Sequence, residues 1–294
     1  MYSPNPTIAY PQPYNKIGDG PEGPEVRTVA DKLLPVLVNS FIIDFLYTSK
    51  SKGSGFNLLS KNTQIVDVKS YGKKLLFYTD KDILLVYSLG MTGKVLYTEG
   101  NHSHIKIVLG RQSKFKSIFI YKCFDIFFDD QRCFGKLDVI NVSSIDSYFS
   151  KIGPDLLQHA LTEPISKKMW FDIFKKRKTR KMIIEILIDQ SYVSGIGWYL
   201  ATDILYYCKI LPKRKMSDIT DEELELLRIY SHNVIVDSYN SGGFTIESFI
   251  SPDGTIGAYN SAIYGKKYDV NGFIVRHEKL SNGRTSHFVT EIQT

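Results

Sequence analysis

The hydrophobic residues of the chain follow two different spacings, which divide it into regions. Near the start they recur every three or four positions, at Val26, Val29, Ala30, Leu33 and Leu37. This spacing predicts an amphipathic helix over roughly residues 24–38. From about residue 39 to 142, short β-prone runs at 42–47, 75–78, 83–87, 105–109 and 118–121 alternate with clusters of Gly, Asn, Asp and Ser. Such runs predict a sandwich or barrel of short strands.

Beyond Gly153-Pro154-Asp155 the pattern becomes helical. Apolar segments at 182–188 and 198–206 each predict a helix, and Thr220 followed by Glu223 forms a capping box for a third helix that runs to about Tyr239. The residues after Ser241-Gly242-Gly243 return to short β-like segments between turns. The predicted fold class is therefore α+β, with a β-rich part, a helical part and a small β appendage.

Composition narrows the possible functions only a little. The 294 residues suggest one large domain or two of ordinary size, and 43% hydrophobic and 13% aromatic residues are enough for real cores. The formal net charge is +6, so a polyanion is a plausible partner.

The cysteines and the absence of long apolar runs indicate a compartment. Cys123, Cys133 and Cys208 form no C-x-x-C pair, so neither a disulfide framework nor a cysteine zinc site is encoded. No uninterrupted apolar run approaches membrane-spanning length, and residues 1–20 lack the apolar core of a signal peptide. We expect a soluble, nuclear or cytoplasmic protein that is not secreted, with residues 1–20 as a flexible arm.

A glycine-rich turn and a basic run are the first candidates for binding chemistry. Ser194-Gly195-Ile196-Gly197 lies between two predicted helices and could expose backbone N–H groups to a phosphate. A tight turn between core helices would use the same glycines. The nearby basic residues are Lys167, Lys168, Lys175, Lys176, Arg177, Lys178, Arg180 and Lys181. Such a run could be a solvated face or a nuclear address, but beside a phosphate-type turn it favours a nucleic-acid backbone.

Several predicted hairpins display single residues suited to DNA. Lys73 follows a Tyr-Gly turn, Met91 lies in a glycine-flanked loop, and Arg132 and Phe134 share a tight turn. Arg284 occupies a predicted hairpin tip over residues 281–286. A methionine on a loop could wedge into a base stack, and an arginine on a β-ribbon suits phosphate contact. Taken singly, each is also explained by a solvated charge, core filling or an ordinary surface hairpin.

The segment Pro21-Glu22-Gly23-Pro24-Glu25-Val26 places a proline and two carboxylates just before the first helix. As the first residue of a chain, Pro21 would carry a secondary amine and be a strong nucleophile. Twenty residues precede it in this sequence, so its nitrogen is an amide with a delocalised lone pair. Taken alone, the segment is also typical of the entry to a helix.

In this order, the motifs resemble those of the formamidopyrimidine-DNA glycosylase and endonuclease VIII family of base-excision repair enzymes. The resemblance covers nearly all of residues 21–294. It rests on the opening segment 21–26, Lys73, the Met91 loop at 88–93, Arg132 and Phe134, a linker at 153–157, a helix–two-turns–helix element at 187–197, and residues 249–265 before a C-terminal finger.

The resemblance implies an N-terminal β-sandwich flanked by helices, a helix–two-turns–helix domain and a zincless β-hairpin finger. At the positions of the four zinc-binding cysteines this sequence has Tyr268, Asn271, Val289 and Ile292, so we expect no metal and no cofactor, with apolar packing in their place. The implied divisions are an arm at 1–20, a catalytic domain at 21–150, a linker at 151–157, the helical domain at 158–247, and the lesion loop and finger at 248–294.

The resemblance also implies the activity: excision of oxidised bases from damaged double-stranded DNA by a monomer, with a Schiff base and β/δ-elimination at the abasic site. Pro21 would be the nucleophile, Glu22 would handle protons at the sugar, and Glu25 would shape the site. Lys73 and Arg284 would hold phosphates. An α-amine with a pKa near 8 is partly neutral at pH 7, unlike a lysine amine.

The remaining implied contacts are with DNA. Extruding a base costs a few kcal/mol, which Met91, Arg132 and Phe134 would offset by filling the void. Gly195, Gly197, Trp198 and Lys178 would contact the DNA backbone as part of the helical domain.

Three features depart from the family pattern. The amide at Pro21 means that the arm is removed after Gly20, the start is misassigned, another nucleophile such as Lys73 acts, or none does. Trp198 stands where the family usually has an asparagine that binds phosphate, and Cys133 stands where many relatives have a basic residue. The first two departures favour an alternative, a catalytically impaired relative that binds lesions or abasic DNA. An RNA-binding or structural protein would explain the basic run but not Met91, Arg132 and Phe134 together.

Overall fold

A computed structural model describes residues 20–115, 118–175, 179–244 and 250–294. The first helix, α1, spans Gly23–Leu37, within one residue of the prediction at each end. Glu22 is its N-cap, and the backbone N–H of Glu22 donates to Glu25 Oε2 at 2.8 Å in a capping box. The helix therefore begins at the two carboxylates singled out in the sequence, and its position fixes theirs.

Nine strands form one continuous sheet in the N-terminal half. Their bounds are β1 Phe41–Tyr47, β2 Gly53–Ser54, β3 Thr63–Tyr71, β4 Lys74–Thr79, β5 Ile83–Ser88, β6 Lys94–Leu96, β7 Ser103–Phe115, β8 Ile118–Asp129 and β9 Lys136–Asn141. The sheet order is β2-β9-β5-β4-β3-β1-β7-β8-β6, and each adjacent pair is antiparallel except β2 with β9. The five predicted runs lie in β1, β4, β5, β7 and β8. The predicted runs do not include β3, because Asp67 and Lys69 leave it without a continuous apolar run.

The sheet folds over on itself and encloses the first core. The ring of Phe128 on β8 lies 6.1 Å from that of Phe77 on β4 and 4.6 Å from that of Tyr87 on β5, although these strands are far apart in the sheet order. Val26 and Leu33 of α1 belong to the same buried cluster. The N-terminal part is thus a sandwich with a helix packed on it, in agreement with the predicted α+β class.

The described residues of the next part of the chain form six α-helices. They are α2 Ile145–Phe149, α3 Leu156–Leu161, α4 Lys167–Lys175, α5 Ile183–Leu187, α6 Trp198–Tyr207 and α7 Asp221–Asn240. Thr220 caps α7 through the predicted capping box with Glu223. The second core cluster joins α3 to α7 and contains both tryptophans, Trp170 and Trp198, whereas α2 packs against Leu76, Leu84 and Val86 of the sheet. The turn at 194–197 leads directly into α6, so the first turn of α6 faces whatever packs against that glycine segment.

The C-terminal residues 268–293 form the hairpin, referred to below as the finger. Strands β10, Arg276–Lys279, and β11, Thr285–Phe288, pair in antiparallel register. Of the four positions at which the resemblance predicts a replaced zinc ligand, Val289 is fully buried in an apolar cluster and Ile292 packs against it. Tyr268 is 49% exposed, and the Asn271 side chain donates to Asp269 Oδ2 at 3.3 Å. Val289 and Ile292 therefore contribute the expected apolar packing. Tyr268 is exposed instead, and Asn271 forms a hydrogen bond.

No helix among the described residues is both long and apolar enough to cross a membrane. No group of three or more His, Cys, Asp or Glu side chains in the same residues is arranged to hold a metal ion.

Candidate active site and DNA-contact surface

The carboxylate of Glu22 lies at the N-terminus of α6. The backbone N–H of Gly197 donates to Glu22 Oε2 at 2.6 Å, and that of Tyr199 donates to Glu22 Oε1 at 3.1 Å. The residue is fully buried, and the Gly23 N–H donates to the Gly195 carbonyl at 2.8 Å. The positive end of a helix dipole favours a carboxylate in this position. The start of α1 and the start of α6 are thus joined through Glu22.

Lys73 reaches the same point from the sheet. A Cβ built on Gly197 would lie 2.2 Å from Glu22 Cδ and 2.5 Å from Lys73 Nζ, so only glycine leaves room for both side chains. The Gly72 N–H donates to Asp155 Oδ2 at 2.9 Å, which fixes the β3–β4 turn against the linker. Glu22 and Lys73 are 51 residues apart in the sequence, and their side chains both lie beside Gly197.

Glu25 lies deeper than Glu22 and is also fully buried. Its carboxylate accepts hydrogen bonds from the Glu22 N–H, the Phe244 N–H at 2.6 Å and the Tyr199 hydroxyl at 2.7 Å. Burial raises the pKa of Glu25, and these hydrogen bonds oppose that shift. Burial, together with the charges of Glu25 and Glu22, raises the pKa of Tyr199 well above its usual value. Glu25 thus ties α1 to α6 and to the end of α7 rather than facing outward.

Pro21 is buried and joined to Gly20, which packs against the Met91 loop. A Cβ on Gly20 would lie 2.1 Å from the Gly90 carbonyl oxygen and 2.5 Å from Met91 Cα. The peptide that precedes Pro21 therefore runs directly over the loop expected to enter the DNA.

The glycine turn differs from the phosphate cradle expected from sequence. The Gly195 N–H donates to Gln190 Oε1 at 2.9 Å, and the Gly197 N–H donates to Glu22. Both amides are engaged by side chains of this chain: Gln190 accepts from Gly195, and the carboxylate of Glu22 takes the place at the start of α6 that a phosphate would occupy. Gly197 therefore positions Glu22, and neither amide is open to a phosphate in this structure.

The structure brings the three expected void-filling residues together. Arg132 Nη1 lies 3.3 Å from Met91 Sδ, and its guanidinium carbon lies 4.7 Å from the centre of the Phe134 ring. Arg132 and Phe134 are exposed, and Met91 is half-buried. One apolar, one cationic and one aromatic side chain thus stand together on two adjacent loops.

Asp130, which sequence reasoning left without a role, holds those loops. It is 3% exposed and accepts hydrogen bonds from the Thr92 hydroxyl, the Arg132 N–H at 3.2 Å and the Gly135 N–H at 2.6 Å. A carboxylate that accepts from two loops fixes their relative position. Its place immediately before the Arg132 turn was the only sequence signal.

Arg284 lies at the tip of the finger and faces the start of α6. Its guanidinium carbon is 5.0 Å from the centre of the Trp198 ring. Trp198 is 2% exposed, and its Nε1 donates to the Thr285 carbonyl at 2.9 Å. Trp198 is therefore a buried partner of the finger rather than an open DNA-contact residue.

Further groups that the sequence did not reveal hold the finger and the segment before it. Asp203 on α6 is fully buried and accepts from the Tyr259 and Ser261 hydroxyls at 2.9 and 2.6 Å. The His287 ring lies 4.9 Å from the Tyr264 ring in a tilted arrangement and 4.5 Å from the His277 ring in an edge-to-face one. Burial, together with the charge of His277, lowers the pKa of His287 to about 4. Lys178, the remaining predicted DNA contact, lies outside the described residues.

Comparisons with known proteins agree with this architecture. A family model described as Formamidopyrimidine-DNA glycosylase N-terminal domain matches residues 20–137, and one described as Formamidopyrimidine-DNA glycosylase H2TH domain matches residues 160–249. The formamidopyrimidine-DNA glycosylase of Wolbachia pipientis wMel is 25% identical, over 93% of this chain and 99% of the relative. That of Zymomonas mobilis is 28% identical, over 84% of this chain and 89% of the relative.

Solved structures show the same fold. The crystal structure of the Fpg protein from Thermus thermophilus superposes with a TM-score of 0.81 at 25% identity and covers 93% of this chain and 98% of its own. A Lactococcus lactis Fpg mutant in complex with Fapy-dG-containing DNA superposes with a TM-score of 0.80 at 24% identity, over 93% of this chain and all of its own. The matched models, the relatives and the fold together show that this chain belongs to the formamidopyrimidine-DNA glycosylase family of base-excision repair enzymes.

Proposed function

We propose that the protein excises oxidised bases from double-stranded DNA and cleaves the resulting abasic site through a Schiff base. The observation that carries the proposal is the meeting of Glu22, Lys73 and the first turn of α6 at Gly197, with Arg284 over the ring of Trp198 in the same turn. The relatives' names and the Lactococcus lactis complex with Fapy-dG-containing DNA support the same substrate class.

The nucleophile in this proposal is the nitrogen of Pro21 in a chain that begins there. Its lone pair forms a bond to C1′ of the damaged nucleotide while the bond from C1′ to the base breaks, and the base leaves with a proton. Opening of the sugar gives the Schiff base, and loss of protons from the sugar then expels the 3′ and 5′ phosphates. Glu22 is next in the chain, buried and held by two N–H groups, so we assign it the proton transfers at the sugar.

The cationic groups have the complementary task. Lys73 and Arg284 both lie beside the first turn of α6, at Gly197 and at Trp198, and we assign both to the phosphates that flank the extruded nucleotide. Met91, Arg132 and Phe134 form one contiguous group that is suited to fill the space left by the base. We further propose that the protein acts as a soluble monomer in the nucleus or cytoplasm and uses no metal or cofactor.

Borohydride trapping on duplex DNA with an abasic site tests the chemistry. Three forms are compared: the full chain, a chain that begins at Pro21, and the latter with its N-terminus acetylated as a matched control. We expect a covalent adduct with the chain that begins at Pro21 and none with the acetylated form. An adduct with the full chain that disappears in Lys73→Ala would assign the nucleophile to Lys73 instead. The proposal fails if neither unblocked form gives an adduct.

A second function, recognition of lesions or abasic sites without cleavage, has one observation in its favour. In the full chain the Pro21 nitrogen is an amide, and Gly20 lies against Gly90 and Met91. A full chain that binds DNA containing a tetrahydrofuran abasic analogue tightly, while showing no nicking of abasic DNA, would support this function for the uncut form.

A further inference from the structure

Trp198 occupies an unusual position, because one buried side chain contacts the finger through both its polar and its apolar parts. It is the first residue of α6 and belongs to the large helical core cluster. Its indole N–H donates to the Thr285 carbonyl, at the first residue of β11. A tryptophan has a single donor and no acceptor, so this bond uses its whole hydrogen-bonding capacity.

The face of the same ring carries the arginine at the finger tip. The guanidinium carbon of Arg284 lies 5.0 Å from the ring centre, within the range of a cation–π contact, and indole is the strongest partner for such a contact. The Arg284 N–H donates to Asn282 Oδ1 at 3.0 Å, and the Leu280 N–H donates to the Arg284 carbonyl at 2.8 Å. The backbone of the tip is therefore set by its own turn, and the long side chain is set by the ring.

The third contact of this helix turn is with Glu22. Trp198 lies between the two residues whose N–H groups hold that carboxylate, Gly197 and Tyr199. The residue that orients the arginine is thus part of the same turn that orients the proton-transfer group. Movement of Trp198 would displace the finger tip relative to Glu22.

We propose that Trp198 is the positioning residue for Arg284, and that it registers the finger tip with Glu22 for grip on the damaged strand. The inference rests on the proposed function, because it supposes that Arg284 binds a DNA phosphate. The indole N–H holds the hairpin at Thr285, and the indole face holds the Arg284 guanidinium beside the first turn of α6. Trp198 itself touches no substrate in this arrangement.

A double-mutant cycle on DNA binding tests the proposal. The full chain, Trp198→Phe, Trp198→Leu, Arg284→Ala and the double variant Trp198→Leu/Arg284→Ala are titrated with duplex DNA that contains a tetrahydrofuran abasic analogue. We expect Trp198→Leu to weaken binding about fivefold and Trp198→Phe less, because a phenyl ring retains a cation–π face. The double variant should bind no more weakly than Arg284→Ala alone.

The matched control is Trp170→Phe. Trp170 is fully buried in the same core cluster, and its Nε1 has no hydrogen-bond partner among the described residues. It should lose stability without any change in DNA affinity beyond the error of the titration. Thermal unfolding of every variant identifies a loss of affinity that merely follows a loss of fold, and Trp198→Phe keeps the test open where Trp198→Leu does not fold.

A measurement without DNA separates this inference from the proposed function. In the NMR spectrum of the free full chain, the Arg284 side-chain protons should be shifted upfield by the indole ring, and Trp198→Leu should abolish that shift while Trp170→Phe preserves it. Absence of the shift, or losses of affinity that add in the double variant, would overturn the positioning role. If the shift is present but the wild-type chain does not prefer abasic-analogue DNA over undamaged DNA, the proposed function fails and the role in DNA grip fails with it.

Discussion

Glu22 and Glu25, referred to here as the carboxylate centre, and the finger both contact α6 at its first turn. Different kinds of interaction fix these two regions. In the centre, Glu22 and Glu25 are fully buried, and backbone N–H groups and the Tyr199 hydroxyl occupy their oxygens. In the finger, two four-residue strands carry the exposed Arg284, which rests on the ring of Trp198. Hydrogen bonds to charged carboxylates fix the centre, whereas aromatic and apolar packing, together with the hydrogen bond from Trp198 Nε1 to the Thr285 carbonyl, fixes the finger.

Burial shifts the pKa of a carboxyl group in the centre and the pKa of an imidazole in the finger in opposite directions. Burial disfavours the charged form, so it raises the pKa of the Glu25 carboxyl and lowers that of the His287 imidazole to about 4. As pH rises above the ordinary value of 4.5, the unfolded chain releases the Glu25 proton before the folded chain does, and stability falls. As pH drops below 6.5, the unfolded chain protonates His287 before the folded chain does, and stability falls again. Of these two groups, His287 in the finger is the one whose contribution to stability is lost in acid.

The largest expected effect concerns the centre. Glu22→Gln, in a chain that begins at Pro21, should slow base excision by about a hundredfold or more, because an amide cannot transfer protons at the sugar. It also turns one NH2 group toward the backbone N–H donors of α6. Single-turnover excision measures the effect, and the exposed Glu99→Gln is the control. A Glu22→Gln rate within tenfold of wild type would contradict the assignment of Glu22.

The second effect concerns the finger and pH. A pKa of about 4 against an ordinary 6.5 means that protonation of His287 removes about 3 kcal/mol of stability as pH falls from 6.5 to 4. His287→Phe keeps an aromatic ring between Tyr264 and His277 and should remove most of this loss. Chemical denaturation at several pH values measures it, with the exposed His102→Gln as the control. Identical pH profiles for wild type and His287→Phe would refute the assignment.

A smaller effect returns to the centre. Tyr199→Phe removes the hydroxyl that donates to Glu25 Oε1 and contacts Ser238 Oγ at 2.8 Å. We expect a loss of about 1.5 kcal/mol, the usual contribution of a hydrogen bond to a charged group. Denaturant unfolding measures the loss. Tyr230→Phe is the matched control, because its ring stacks on Tyr207 and needs no hydroxyl for that contact. Equal losses in the two variants would show that the bond to Glu25 contributes little.

The last prediction is that a chelator has no effect on the protein. Treatment with a chelator should leave the melting temperature and the affinity for abasic-analogue DNA unchanged, because Tyr268, Asn271, Val289 and Ile292 stand at the positions expected to bind zinc. Mass spectrometry of the native protein provides the independent check. A metal present at one equivalent, or a finger that loosens on chelation, would remove the contrast between a metal-bound finger and this packed one.

The local pattern of apolar and polar residues predicted most of the fold. Helix α1 follows from an apolar face with a 3.6-residue period and from Glu25 in its first turn, and the predicted strands follow from β-branched and aromatic runs between turns. The ordered motifs from Glu22 to Arg284 indicated the family, which the comparisons confirm. The domain limits and the roles of single residues stay predictions.

Other features depended on contacts between distant segments. Nothing near Asp130, Asp155 or Asp203 in the sequence indicates that each would be buried and hold two segments together, because burial of a carboxylate depends on where the donors of other segments lie. The turn at Gly195 and Gly197 shows the same limit. Its sequence suits a phosphate, and the fold brings the Glu22 carboxylate to it instead.

The amino-acid sequence thus determined the helices and strands, their order and the chemical groups available for catalysis, since these depend on neighbouring residues and on spacing. Folding decided which groups face each other, which are buried and which remain open to DNA. Trp198 illustrates both parts: its identity is visible as a departure from the family pattern, but its bond to Thr285 and its contact with Arg284 exist only because the finger folds back onto α6.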